Sequence, residues 1–167
     1  VTCIVGVRFN GAVFMGADNQ TTSGYLKIGH ATTSPKVFRR SDLLFGISGS
    51  VRAQNVLQTR FTPPERAEDE RDDLSYMVTV VESLRVLFRD AGIAKIENAV
   101  ENNGEDGSML LTGYHGRLFQ ISTDWSILEP SLPYHAIGSG REYALGSMHA
   151  KGKTSDPQKT VRSALMA

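Results

Sequence analysis

Apolar and polar positions divide the chain into stretches of different period. Thr2 to Phe9 is rich in apolar and β-branched residues, and Asn10-Gly11 follows. That dipeptide tolerates positive φ at both positions and is the strongest short hairpin signal, so Ala12 to Ala17 returns as a second strand. Thr21 to Gly29 is looser, with a Ser23-Gly24 turn and a short strand predicted from Tyr25 to Ile28. Lys36 to Arg40 and Leu43 to Ile47 read as another hairpin across Ser41-Asp42.

After Gly49 the period lengthens. Ser50 is placed to cap a helix running to about Arg60, and Pro63-Pro64 forbids its continuation. Glu65 to Asp73 is a charged, solvated run. The clearest helix spans Leu74 to Asp90, where Leu74, Met77, Val78, Val81, Leu84 and Phe88 fall three and four apart and predict one apolar face. Asp72 and Asp73 suit its start, where carboxylates complement the helix dipole, and Gly92 suits its end. Glu97 to Asp106 is polar and predicts a loop. Ser108 to Thr112 and Arg117 to Ser122 form a third hairpin, and Tyr134 to Ile137 one more strand. Glu142 to Lys151 is helical, and Pro157 opens a last helix.

Strands, two helices, strands, two helices is thus the predicted order. Two antiparallel sheets face to face, with helices outside each, would cover every apolar face. The expected fold is a four-layer αββα sandwich of the α+β class, one domain over residues 1–167 with no dividing linker or repeat.

Composition narrows the partners. Eighteen basic residues balance eighteen acidic ones, so no electrostatic footprint for nucleic acid or an anionic membrane follows. No run approaches the length of a membrane span, and the N-terminus has no basic region before an apolar stretch. The lone cysteine, Cys3, excludes an intrachain disulfide and fits a reducing compartment. A cytoplasmic protein is the expectation.

Five short patterns carry candidate chemistry: Thr2 opening a strand, Gly16-Ala17-Asp18 closing the second, Pro35-Lys36-Val37-Phe38 entering the next, Phe45-Gly46-Ile47-Ser48-Gly49 ending in a glycine turn, and Gly138-Ser139-Gly140. Singly each is bland. Thr2 alone is a strand threonine, Asp18 a turn residue, Lys36 a surface lysine, Gly46 a packing glycine and Ser139 a turn serine. Gly138-Ser139-Gly140-Arg141 lacks the rest of a phosphate-binding pattern. His30, His115, His135 and His149 show no metal-ligand spacing. Cys3, beside Thr2, points to the opposite strand face and reads as a core residue.

Together, the ordered set TCIVGVRFNGAVFMGAD, SPKVF, LLFGISGSVRAQNVL and AIGSGREYALGSM resembles the proteasome β-type subunits of the N-terminal-nucleophile hydrolases, including the simpler bacterial HslV peptidases. Asp18 follows Thr2 by sixteen residues, the family's separation. Lys36 falls two residues late, and a shorter hairpin returns Gly46 to register.

The resemblance implies a threonine peptidase. A threonine hydroxyl needs an adjacent base, and an N-terminal threonine has its own α-amine, with an ordinary pKa of about 7.7–8.0. In that scheme Thr2 is the nucleophile and Lys36 disfavours a second ammonium on the Thr2 amine. Asp18 orients Lys36, the Gly46 N–H meets the oxyanion, and Ser139 hydrogen-bonds the amine. Thr21, Leu44 and Ser48 are expected to line the pocket for the residue before the cut, the last two because they share a strand face. No metal or organic cofactor is implied. The implied partners are peptide or unfolded-protein substrates, further copies in stacked rings of six or seven, and a ring-shaped AAA+ ATPase unfoldase.

The pattern departs in two places. Val1 precedes Thr2, so as written the Thr2 nitrogen is an amide and not a base. Removal of Val1 as the translated initiator is the expectation. The family also carries a further aspartate and serine after the helix that Pro157 opens, so the natural chain is expected to extend past Ala167. Two rival readings stay open: a small-molecule amidase on the same fold, and a non-catalytic structural ring subunit with an occupied N-terminus.

Overall fold

The structure is a computed structural model that describes residues 2–23, 25–29, 34–97, 100–102, 108–152 and 155–167. Three strands form one antiparallel sheet. β1 (Ile4–Phe9) lies between β2 (Ala12–Ala17) and β12 (Tyr134–Ile137). A five-stranded sheet faces it, in the order β11 (Ile127–Leu128), β10 (Arg117–Ile121), β9 (Met109–Tyr114), β6 (Leu43–Ser48), β5 (Val37–Arg40). β3 (Gln20–Ser23) pairs with β4 (Leu26–Gly29), and β7 (Lys95–Glu97) with β8 (Val100–Asn102).

Three apolar layers hold the sandwich together. Ile4, Leu111, Leu118 and Ile137 pack between the sheets. Phe45, Ile47 and Phe119 turn to the outer face of the five-stranded sheet, under Leu57 of α1 (Val51–Arg60) and Met77, Leu84 and Phe88 of α2 (Asp73–Asp90). Val5, Val7 and Ala136 turn the other way, onto α3 (Arg141–Lys151) and α4 (Pro157–Leu165). The expected αββα order is the order observed. The strand period of two explains it: Ile4 and Val5 are neighbours in β1 and belong to different layers.

Helix starts follow the sequence signals. Ser50 accepts from the Ala53 N–H, Asp72 from Ser75, and Asp156 from Lys159 ahead of Pro157. The face of α2 differs from expectation. Tyr76 and Val80 are buried beside Met77, Val81, Leu84 and Phe88, whereas Leu74 and Val78 are 44% and 49% exposed. A helix 3.6 residues per turn wide admits both stripes; the position of the sheet selects one. The polar stretch from Glu97 to Asp106, read as a loop, instead contains the end of β7 and all of β8, which pair antiparallel, and the rest of it lies outside the described residues. Among the described residues, no helix is long and apolar enough to cross a membrane.

Candidate active site

One end of the sandwich brings Thr2, Asp18, Lys36 and Ser139 together. The β1–β2 ladder ends at Ile4 opposite Ala17. Two further bonds prolong it: the Asp18 N–H donates to the Cys3 carbonyl at 3.0 Å, and the Cys3 N–H to Asp18 Oδ1 at 2.6 Å. Thr2 therefore lies just past the ladder, on the face it shares with Ile4, toward the five-stranded sheet. Cys3 faces away, 8% exposed, among the α3 and α4 contacts. Burial pushes its thiol pKa up, the Asp18 charge adds to that, and Lys36 opposes it. The thiol is accordingly not prepared as a nucleophile.

Lys36 enters from the opposite sheet. It immediately precedes β5, and its carbonyl accepts from the Ile47 N–H at 3.2 Å. The residue is only 5% exposed. Its Nζ donates to Asp18 Oδ2 at 2.9 Å, to Thr2 Oγ1 at 3.2 Å and to the Gln20 carbonyl. Asp18 Oδ2 also accepts from the Gln20 N–H at 3.0 Å. The buried ammonium thus meets one full negative charge and two neutral oxygens, which a buried charge requires.

The turn after β12 closes the site. The Thr2 N–H donates to Ser139 Oγ at 3.0 Å, and the Gly140 N–H donates to the Thr2 carbonyl at 3.0 Å. With Val1 in the chain, this Thr2 nitrogen is a peptide amide standing where a free amine would be. Gly138 has φ +91°, and a Cβ there would run into the Thr2 carbonyl. Glycine is required at that point because the threonine backbone passes so close.

Gly46 does not fit the oxyanion role expected of it. It sits inside β6, paired with Val37 on one side and Leu111 on the other. Ile47 sends its N–H to the β5 side, so Gly46 sends its own toward β9, into the sheet. Its missing side chain serves packing instead: a Cβ would come within 2.5 Å of Ile4 Cγ2 and 3.0 Å of Met15 Sδ. The better placed glycine is Gly49, exposed, with φ +108°, the first residue after β6. Alternation directs its N–H to the side of Lys36, beyond the last β5–β6 pair. The signal was in the sequence, since a glycine ending a strand before a helix cap has a backbone that the ladder releases.

Nor do Thr21, Leu44 and Ser48 form one wall. Thr21 is half-buried on β3, next to Gln20. Ser48 is 5% exposed, with its Oγ directed to the Met109 carbonyl at 3.4 Å. Leu44 shares its face, as expected, but four residues of strand separate them by about 13 Å. Leu44 lines a different cavity of about 440 Å³, with Ala12, Arg39, Asp42 and His115, at the other end of the sandwich. A common face did not imply a common depth.

Two face-to-face antiparallel sheets between helix pairs, with a strand-end threonine at their seam, define an N-terminal-nucleophile hydrolase fold. Residues 1–167 match the proteasome subunit family model, and the chain belongs to that family. It is 25% identical to the ATP-dependent protease subunit HslV of Sulfurihydrogenibium sp., over 98% of this chain and 85% of that one. It is 26% identical to the HslV subunit of Aquifex aeolicus, over 93% and 80%. Among solved structures, Thiobacillus denitrificans BPH superposes with a TM-score of 0.79 at 22% identity, covering 99% of this chain and 88% of that one. The HslV of Trypanosoma brucei gives 0.63 at 19%, covering 98% and 88%.

Proposed function

We propose that this chain is an N-terminal threonine peptidase subunit, active once the peptide bond before Thr2 is cut and the Thr2 α-amine is free. The observation that carries the reading is the Lys36 ammonium, 3.2 Å from Thr2 Oγ1 and 2.9 Å from Asp18. The freed Thr2 amine takes the hydroxyl proton, and Oγ1 attacks the scissile carbonyl. Lys36, next to that hydroxyl, favours its developing negative charge and discourages a second ammonium on the amine. The Gly49 N–H is the proposed oxyanion donor. The amine's proton passes to the leaving nitrogen, with Ser139 Oγ, 3.0 Å from the Thr2 nitrogen, steadying the transfer. Water then attacks the acyl-threonine ester, the amine again acting as base, and releases the acid product.

Two relatives are ATP-dependent protease subunits, which supports an unfolded polypeptide as substrate and an AAA+ ATPase ring as partner. Homo-oligomeric stacked rings in the cytoplasm, enclosing the threonines, complete the reading. The small-molecule amidase is the rival enzyme; the structural ring subunit is favoured only by Val1.

The test is hydrolysis of fluorogenic peptides by gel-filtered protein, with Thr2→Ala as control. Activity in a ring-sized fraction, lost in Thr2→Ala, supports the peptidase. Amidase activity in a monomer or dimer supports the rival, and an inactive ring that retains Val1 supports the structural role.

A further inference from the structure

Gln54 is 3% exposed on the sheet-facing side of α1, between Ala53 and Leu57 in the same packed stripe. A buried amide needs partners, and an apolar residue would fill this place without that demand. Its partners are the two carbonyls immediately ahead of Lys36. Gln54 Nε2 donates to the Ser34 carbonyl at 3.3 Å and to the Pro35 carbonyl at 3.2 Å. Gln58, one turn on, donates to the same Pro35 carbonyl at 2.8 Å, while its Oε1 accepts from Ser34 Oγ at 3.4 Å.

We propose that Gln54 and Gln58 are positioning residues for Lys36, an inference that rests on the peptidase reading above. β5 begins at Val37, so the ladder does not hold residues 34 and 35. The glutamines fix their carbonyls from α1, and Ile47 fixes the Lys36 carbonyl from β6. Lys36 is thereby gripped at its base from two sides. Its long stem has several rotatable bonds, and Asp18 and Gln20 grip only the tip. Without the base clamp, the ammonium's place beside Thr2 Oγ1 is no longer determined. The N-cap of the same helix is Ser50, which follows Gly49 and so ties α1 to the proposed oxyanion turn. One rigid helix therefore sets both the lysine and the oxyanion donor.

The experiment compares Gln54→Leu, Gln58→Leu and Lys36→Ala in assembled, Val1-free protein by steady-state peptide hydrolysis, with melting temperatures alongside. A misplaced catalytic group costs rate and not binding, so kcat should fall about tenfold or more in Gln54→Leu while KM stays within about twofold. Gln58→Leu should show a smaller fall of the same kind. A kcat within about twofold of wild type in Gln54→Leu, with Lys36→Ala inactive, overturns the inference and leaves the peptidase reading standing. Full activity in Lys36→Ala overturns the reading itself and the inference with it. If Gln54→Leu does not fold, Gln58→Leu decides on the same terms, an unchanged kcat being the contrary result.

Discussion

The Nζ of Lys36 stands 3.2 Å from the Oγ1 of Thr2, across the seam between the two sheets. Thr2 arrives from β1 and Lys36 from the approach to β5, so the pair exists only when the sheets are stacked. A charge in that place, buried and paired with Asp18, acts on the hydroxyl through low-dielectric surroundings. Replacing Lys36 by Ala should lower kcat about a hundredfold or more, with the fold kept, as read by peptide hydrolysis and circular dichroism. Wild-type rates in Lys36→Ala would remove the lysine from the mechanism.

Asp18 balances that lysine at 2.9 Å, with side chains 23% and 4% exposed. Asp18→Asn leaves an ammonium with dipoles only. The expected loss is about 3 kcal/mol, the scale for breaking a buried pair from one side. Urea denaturation measures it; an unchanged midpoint and slope would mean that solvent already screens the pair.

The two glycines of β6 and its exit separate by their effects. Gly46→Ala pushes a methyl into Ile4 and Met15 and should cost about 1–3 kcal/mol of stability through overpacking. In Gly49→Ala the methyl meets the Ser108 backbone at 2.8 Å at positive φ, which moves the turn and its N–H. Its signature is a fall in kcat of about a hundredfold, the scale of a lost oxyanion donor. Peptide hydrolysis beside thermal melts distinguishes the two; the opposite assignment of defects would restore the oxyanion role to Gly46.

Away from the site, Arg117 holds Glu129 through two bonds of 2.9 and 2.5 Å. That hydrogen bonding keeps the Glu129 pKa below its ordinary 4.5, against some burial and with help from Arg8. The folded value is the lower one, so its stabilisation is present above about pH 4.5 and is lost as pH falls through the folded value. Glu129→Gln should therefore be less stable than wild type by roughly 1 kcal/mol at pH 7, the two converging in acid. Urea titrations at pH 7 and at pH 3 to 4 read the difference. A gap that persists at low pH would show that charge is not its origin.

Much of this was legible in the chain. The strand hairpins and the helix starts at Ser50, Asp72 and Pro157 follow from residue type and order, whereas the meeting of Thr2, Asp18, Lys36 and Ser139 was expected only from the resemblance to the family. What was not legible depends on distance and direction across layers. Leu74 and Val78 satisfy a helical period yet face outward, because period fixes a stripe but not what it meets. Leu44 and Ser48 share a face but not a level. Gly46 sits in the expected motif, but the direction of an N–H depends on which neighbour the strand pairs with. Gln54 gave no signal at all, since a glutamine on a helix is ordinarily solvated and its partners lie twenty residues back.

Thr2 as a competent N-terminal nucleophile is tested most directly by the intact mass of the purified protein before and after a peptide epoxyketone. That reagent closes its ring adduct only on a hydroxyl and a free α-amine of the same residue. Thiobacillus denitrificans BPH, which shares the fold, has been solved in complex with epoxomicin. The predicted result is a mass lacking Val1 that gains one inhibitor per chain, and no gain in Thr2→Ala. A mass that retains Val1 and gains nothing would contradict the peptidase assignment and leave a structural subunit.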